Sequence, residues 1–213
     1  TQLTRASEEY TNDVKPLPVI IAGDIFDKWN SPAELINFAI KRMPAYCYAI
    51  PGQHDLPHHN IDDIKKSAYW TLVEAGAIEN LEYAYPKIIN KQIFAWAFPW
   101  ETSIQPLNSV CKMAGMINLA VVHKFIWNKG YGFPGSSKSC MSGILKKTVF
   151  KNYDAVVVGD NHKGFTDTSK SGPPLFNCGG FMRRNISQLN YRPSIGILNS
   201  DSTFERILLD SSE

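Results

Sequence analysis

The chain predicts an α/β sandwich in which two mixed sheets stack between helical layers, an α-β-β-α order of four layers. Three observations lead there. Short β-branched apolar runs alternate with stretches of helical periodicity through the first half of the chain, and the second half is mostly strand-like. Four of the apolar runs finish in residues drawn from Asp, His and Gln. Strands covered on both faces read as unbroken apolar runs, and in such sheets ligands gather at the carboxyl ends of the strands.

In chain order, residues 7–10 open a short polar helix that Pro16 and Pro18 end. Residues 17–27, Leu-Pro-Val-Ile-Ile-Ala-Gly-Asp-Ile-Phe-Asp, form a buried strand that delivers Asp24 and Asp27 to a sheet edge. A helix follows, with Ser31 as its N-cap and Pro32 at its first position, and Leu35, Ile36, Ala39 and Ile40 recur on its inner face. Residues 46–50 are the second strand. Residues 62–76 form one helix carrying Ile64, Ala68, Leu72 and Val73 inward, with Gly76 at its end. Residues 88–89 and 93–98 pair as a hairpin through Asn90-Lys91 and begin a second sheet. Residues 106–116 are weakly helical and 118–123 are a strand. Residues 124–139, rich in Gly, Pro, Ser and aromatics, read as a long functional loop. A short helix over 142–150 precedes the strand 155–158, and the tail carries strands at 174–177, 194–199 and 203–209, the last two joined at Ser200-Asp201.

A chain of 213 residues buries a full core, and 1–213 is expected to form one domain. No apolar stretch is long enough to span a bilayer and the start is polar, so the expectation is a soluble, cytoplasmic protein without a membrane role. Cys47, Cys111, Cys140 and Cys178 are scattered and form no Cys-x-x-Cys pair, which argues against a thiolate zinc site and for buried reduced thiols. Net charge is +2 but uneven: residues 1–106 hold nine Lys/Arg against 13 Asp/Glu, and residues 107–213 hold 13 against seven. A basic half suits a phosphate-rich partner, although a solvated basic face is the commoner reason for such an excess.

Gly23-Asp24 after a strand is by itself an ordinary turn. The recurrence shifts the balance. Pro51-Gly52-Gln53-His54-Asp55 follows one run, His123 ends another, and Gly159-Asp160-Asn161-His162 follows a fourth. Oxygen and imidazole donors converging at one sheet edge are the composition of a divalent-metal site.

Gly23-Asp-Ile-Phe-Asp27, Gly52-Gln-His-Asp55, His123 and Gly159-Asp-Asn-His162, in this order, resemble the motifs of the calcineurin-like metallophosphoesterase superfamily. The resemblance implies the four-layer sandwich and hydrolysis of phosphoesters by a hydroxide activated between two divalent ions. Carried over residue by residue, it implies that Asp24 bridges the two ions, that Gln53, His123 and Asp160 face the second, and that His162 faces the first. His54 is implied to contact the phosphate and protonate the leaving alkoxide, with Asp55 orienting its ring. Asp27 is implied to accept a hydrogen bond from a ligating imidazole. Gln53 stands where the family has Asn and Asp160 where it has His; both keep a metal-binding oxygen, which points to manganese, with magnesium as the alternative. The family's opening Asp-x-His is missing. Either Thr1-Gln2-Leu3 is its remnant, with Gln2 in the His place, or the chain lacks its first strand and the first metal site.

Within the superfamily, Gly23-Asp-Ile-Phe-Asp-Lys-Trp29, Gly52-Gln-His-Asp-Leu-Pro57 and Asn177-Cys-Gly-Gly-Phe-Met-Arg-Arg184 look like the DNA-repair exonuclease (SbcD-like) branch, in its phage or bacterial form. This implies a nuclease that processes DNA ends or breaks, a partner ATPase of the SMC type (SbcC-like), and a homodimer. It also implies Lys163, Arg183 and Arg184 as contacts to DNA phosphate, against a reading as ordinary surface charge. That branch usually adds a C-terminal capping region, which the chain is expected to lack. His58 and His59 flank the second motif, and Trp127, Tyr131 and Phe133 offer rings for unpaired bases, although loop aromatics more often pack on their own domain. A small-molecule or phosphoprotein phosphoesterase, and a catalytically weakened DNA-binding scaffold, remain the rival functions.

Overall fold

β1 (Val19–Ala22) forms where Pro18 is followed by three β-branched residues and Ala22, and it pairs in parallel with β2 (Cys47–Ile50), Val19 opposite Cys47 and Ala22 opposite Ile50. The computed structural model describes residues 16–182 and 191–210. Between the two strands runs α1 (Ala33–Arg42). After β2 come α2 (Ala68–Glu74) and the two-residue strand β3 (Glu79–Asn80), which completes a parallel sheet in the order β1-β2-β3.

The larger sheet is six-stranded and mixed. It holds β4 (Lys87–Ile89), β5 (Ile93–Phe98), β6 (Ile117–His123) and β7 (Ala155–Gly159) side by side, then β9 (Leu175–Asn177), with β8 (Phe165–Asp167) at the edge. β4 and β5 meet antiparallel through Asn90 and Lys91, which take φ of 45° and 62°. Two successive left-handed residues are what a type I′ turn requires; Gln92, whose N–H closes it on Ile89 O at 3.2 Å, is the third residue between the paired Ile89 and Ile93. β5, β6, β7 and β9 run parallel, so their carboxyl ends share one edge. α3 (Ser142–Leu145) lies between β6 and β7, and β10 (Ser194–Leu198) with β11 (Phe204–Leu208) makes a separate antiparallel hairpin.

The side-chain alternation of the strands produces the four layers. Ile20 and Ala22 of β1, Tyr48 and Ile50 of β2, Leu119 and Val121 of β6 and Ala155 and Val157 of β7 fill the space between the sheets, closed by Leu198 and Phe204 of the hairpin. The opposite faces of β1 and β2 (Val19, Ile21, Cys47, Ala49) pack on Ile36, Ala39 and Ile40 of α1 and Tyr69 and Leu72 of α2. The opposite face of the large sheet (Phe98, Ala120, Val122, Val156, Val158) packs on Phe150, Tyr153, Leu145 and Ile126. No helix among the described residues is long and apolar enough to cross a membrane.

Several expected boundaries move for identifiable reasons. Pro32, in extended conformation, accepts the first helical hydrogen bonds of α1 from Leu35 and Ile36 and is therefore the N-cap; Ser31 instead donates its hydroxyl to Lys28 O. The helix expected over 62–76 is divided at Ser67, whose ψ of 159° breaks the spiral and whose Oγ accepts the Trp70 N–H to start α2. A six-residue 3₁₀ segment, Ile61–Lys66, precedes it. Residues 106–116 hold one 3₁₀ turn at Ser109–Cys111. All four cysteines are free, but only Cys47 is buried; Cys111 is exposed. The proposed helix at 7–10 and the Gln2 remnant lie outside the described residues.

Lys146, just past α3, is fully buried and donates to Asp167 O and Oδ1, both at 3.1 Å, and to Ser169 O at 2.8 Å. Ser142 Oγ donates to the second Asp167 oxygen at 2.6 Å. Burial pushes the Asp167 carboxyl up, but the donors from Ser142, Ser169 and Lys146 outweigh it and hold it at about 2. Because the folded value lies below the unfolded one near 3.8, this contribution is present above that pH and is lost as the pH falls toward 2. Urea unfolding is expected to show roughly 1–2 kcal/mol of stability disappearing between pH 4 and 2, and Asp167→Asn should flatten that slope. Lys146→Ala, which strands the buried carboxylate, should lower stability by about 3 kcal/mol at neutral pH.

Candidate metal centre

The carboxyl ends of β1 and β2 meet those of β6 and β7, and His123, the last residue of β6, is wedged where the two sheets converge. Its neighbour in register is Gly159 of β7. A methyl group at Gly23 would lie 2.1 Å from His123 Nδ1, one at Gly52 would lie 2.6 Å from its Cε1, and one at Gly159 would lie 2.9 Å from Nδ1 and 2.1 Å from Ala22 O. Atoms do not approach so closely. Glycine at these three places is therefore what lets the imidazole enter, and Gly23, at φ 91°, also needs glycine for its backbone.

The ring is fixed by hydrogen bonding. Nδ1 donates to Ala22 O at 2.5 Å, and a carbonyl only accepts, so this nitrogen carries hydrogen and Nε2 is turned to the site. Nε2 lies 3.3 Å from Asp24 Oδ2 and 2.6 Å from Gln53 Oε1. The other Asp24 oxygen accepts the His54 backbone N–H at 2.9 Å, and Gln53 Nε2 donates to Asp160 Oδ1 at 3.0 Å. Asp24, His123 and Asp160 each present a ligating atom within 4.8 Å of the others. Two of these donors, Asp24 at φ 55° and Asp160 at φ 74°, sit in the left-handed region directly after a glycine, where aspartate is among the few tolerated side chains.

Burial would raise the Asp24 carboxyl, but the hydrogen bond and charge of His123 and the His54 N–H pull it below its ordinary value. Burial would lower His123, and Asp24 outweighs it and raises the imidazole. The set of two carboxylates, one imidazole of fixed tautomer and one amide oxygen fits a divalent cation of hard to borderline character. Proton and cation compete for the same Nε2 lone pair, so cation affinity falls with pH.

Residues 2–163 match the model of the calcineurin-like phosphoesterase family. The chain belongs to that family. Among curated proteins, none matches it. Membership carries metal-dependent hydrolysis of phosphoesters, and the group formed by Asp24, His123 and Asp160 is the place in this phosphoesterase where a divalent metal fits.

The other sequence-derived candidates fall in different places. His54 is half-buried and opens onto a cleft of about 260 Å³ that Asp27, Trp29, His58 and His59 also line. Asp55 does not reach the His54 ring as expected. It is fully buried, and its carboxylate accepts backbone N–H groups from Gly52 at 3.0 Å, Phe26 at 3.2 Å and Ile25 at 3.3 Å, tying the loop after β2 to the loop after β1. Burial, with the nearby charge of Asp24, pushes its carboxyl up to about 6 against those three donors. His162 is exposed and stands outside the group of converging donors. Lys163 is exposed, and Arg183 and Arg184 lie outside the described residues.

The loop aromatics are engaged within the protein. Trp127 Nε1 donates to Ser137 O at 2.9 Å, Tyr131 packs on Phe165 at 5.3 Å and Phe133 on Phe125 at 4.9 Å between ring centroids. Sequence reasoning passed over Asn161, which is buried and donates to Ile126 O and Tyr131 O, anchoring the long loop beside Asp160. Its signal was a third polar residue inside Gly-Asp-Asn-His.

Two outcomes follow. Gly52→Ala puts a carbon 2.2 Å from Asp24 Oδ1, so calorimetric titration with Mn²⁺ should show binding weakened by at least about 10-fold. Asp55→Ala, which strands three backbone donors, should lower unfolding stability by roughly 2–4 kcal/mol.

Proposed function

We propose that residues 1–213 form a single metal-dependent phosphodiesterase domain that hydrolyses DNA phosphodiester bonds, with manganese as the working cation and magnesium as the alternative. The observation that carries the reading is the convergence of Asp24, Gln53, His123 and Asp160, brought from four separate parts of the chain to one sheet edge. Asp24, His123, Asp160 and the Gln53 amide oxygen would hold a divalent cation there, and its charge would supply polarisation of the phosphoester and activation of water at neutral pH. The chain's own groups do the rest. The Asp24 carboxylate fixes the backbone of His54, which places that imidazole at the mouth of the cleft, where it donates a proton to the departing alkoxide. The excess of basic residues in the second half, Lys163, Arg183 and Arg184 among them, supports a polyanionic substrate held through its backbone. A second cation would draw on His162 and on Gln2, if that residue is the remnant of the family's opening motif. An SMC-type ATPase partner and a homodimer belong to the same proposal.

A second reading has one observation in its favour. His162 stands apart from the other donors, which suits a domain that binds one cation and DNA but turns over slowly. Manganese-dependent cleavage of linear duplex DNA separates the readings. His54→Ala is expected to lower kcat by about 10²–10⁴-fold while leaving the calorimetric Mn²⁺ affinity within two-fold. Equal turnover by the variant removes His54 from the mechanism, and cleavage of aryl phosphodiesters without DNA binding at low salt points to a small-molecule phosphoesterase.

A further inference from the structure

The cleft beside His54 is walled by rings. The indole of Trp29 and the imidazole of His58 lie 5.9 Å apart, inclined at 52°, and His59 closes the same wall with Nδ1 3.0 Å from Gln53 O. His58 and His59 are consecutive residues in the left-handed region, with φ of 52° and 61°. Histidine is among the non-glycine residues that adopt this region, and the turn it makes here leaves both residues lining the cleft. Asp27, Lys28 and Asn30 line it with polar groups.

We infer that Trp29, His58 and His59 form a nucleobase subsite that holds the base of the leaving nucleotide beside His54. This rests on the phosphodiesterase reading above and adds to it the side of the scissile bond on which the base is gripped. The chemistry is that of a stacking platform: a planar base offers a π-face to an indole and an imidazole whatever its identity, so the subsite accepts all four bases. A cleft that served only phosphate, or a phosphorylated serine, would have no use for an indole and an imidazole side by side in its wall. Gripping the leaving nucleotide also sets its alkoxide oxygen at the mouth of the cleft, within range of the acid.

The experiment compares two short single-stranded oligonucleotides that differ only in whether the nucleotide on the leaving side of the cut bond carries a base or is abasic. Wild-type protein with Mn²⁺ is expected to give a kcat/KM about 10–100-fold higher on the base-bearing strand, in line with stacking of roughly 1–3 kcal/mol. Trp29→Ala should bring the ratio close to one, and Trp29→Phe should restore most of it. His58→Gly, which suits the left-handed backbone and so preserves the loop, should lower the ratio several-fold. A wild-type ratio near one overturns the subsite while leaving the phosphodiesterase intact. If neither strand is cut, the phosphodiesterase reading fails, and equilibrium binding of the same two strands then decides the subsite: equal affinities, or a preference unaffected by Trp29→Ala, overturn it.

Discussion

The imidazole of His123 sits in a slot that only backbone can line, and the rest of the centre is arranged around that fact. Gly23, Gly52 and Gly159 belong to three different strand ends, and each must lack a side chain for the ring to pass between the sheets. Once inside, the ring is pinned from behind by Ala22 O and turns Nε2 to Asp24 and Gln53. A single buried histidine thus welds the two sheets together at their carboxyl edges and aims a donor at the point where they meet. The glycines that look like turn residues in the sequence are the walls of this slot.

Around the slot the backbone is under tension. Of the ten non-glycine residues with positive φ among those described, Asp24, Asp160, His58 and His59 surround the centre and its cleft. Such conformations persist only where the surroundings over-determine them, at an expense of order 1–3 kcal/mol each. Here the over-determination is visible. Asp55 collects three backbone donors from two loops, the His54 N–H is held by Asp24, and Asn161 ties the 124–139 loop to the end of β7. Asp24, His123 and Asp160 ride on or just past strand ends, while Gln53, the proposed acid His54, His58 and His59 share the loop after β2 and Trp29 stands on the loop after β1.

Much of this was legible in the sequence because it follows from period and from punctuation. Residues 19–22, 119–122 and 155–158 are unbroken apolar runs, and Asn90-Lys91 announces its hairpin. Asp24, His123 and Asp160 converge because each follows such a run, and parallel strands bring their ends together. What escaped was decided by tertiary context. β3 and β8, two and three residues long, are too short to carry a pattern. The break at Ser67 falls inside good helical spacing, because Ser67 competes for the backbone of the next turn. Asp55, adjacent to His54 in sequence, turns away from it to a set of buried N–H groups that no local pattern reveals. The hydrogen bond from Gln53 to Asp160 joins residues 107 apart and depends on the docking of two sheets.

Anomalous diffraction at the manganese edge from crystals grown with Mn²⁺ addresses the central claim most directly. The account predicts an anomalous peak contacted by Asp24, His123 Nε2, Asp160 and the side-chain oxygen of Gln53, with His123 Nδ1 still on Ala22 O. A peak held by other side chains, or no peak between these four at saturating Mn²⁺, would contradict it.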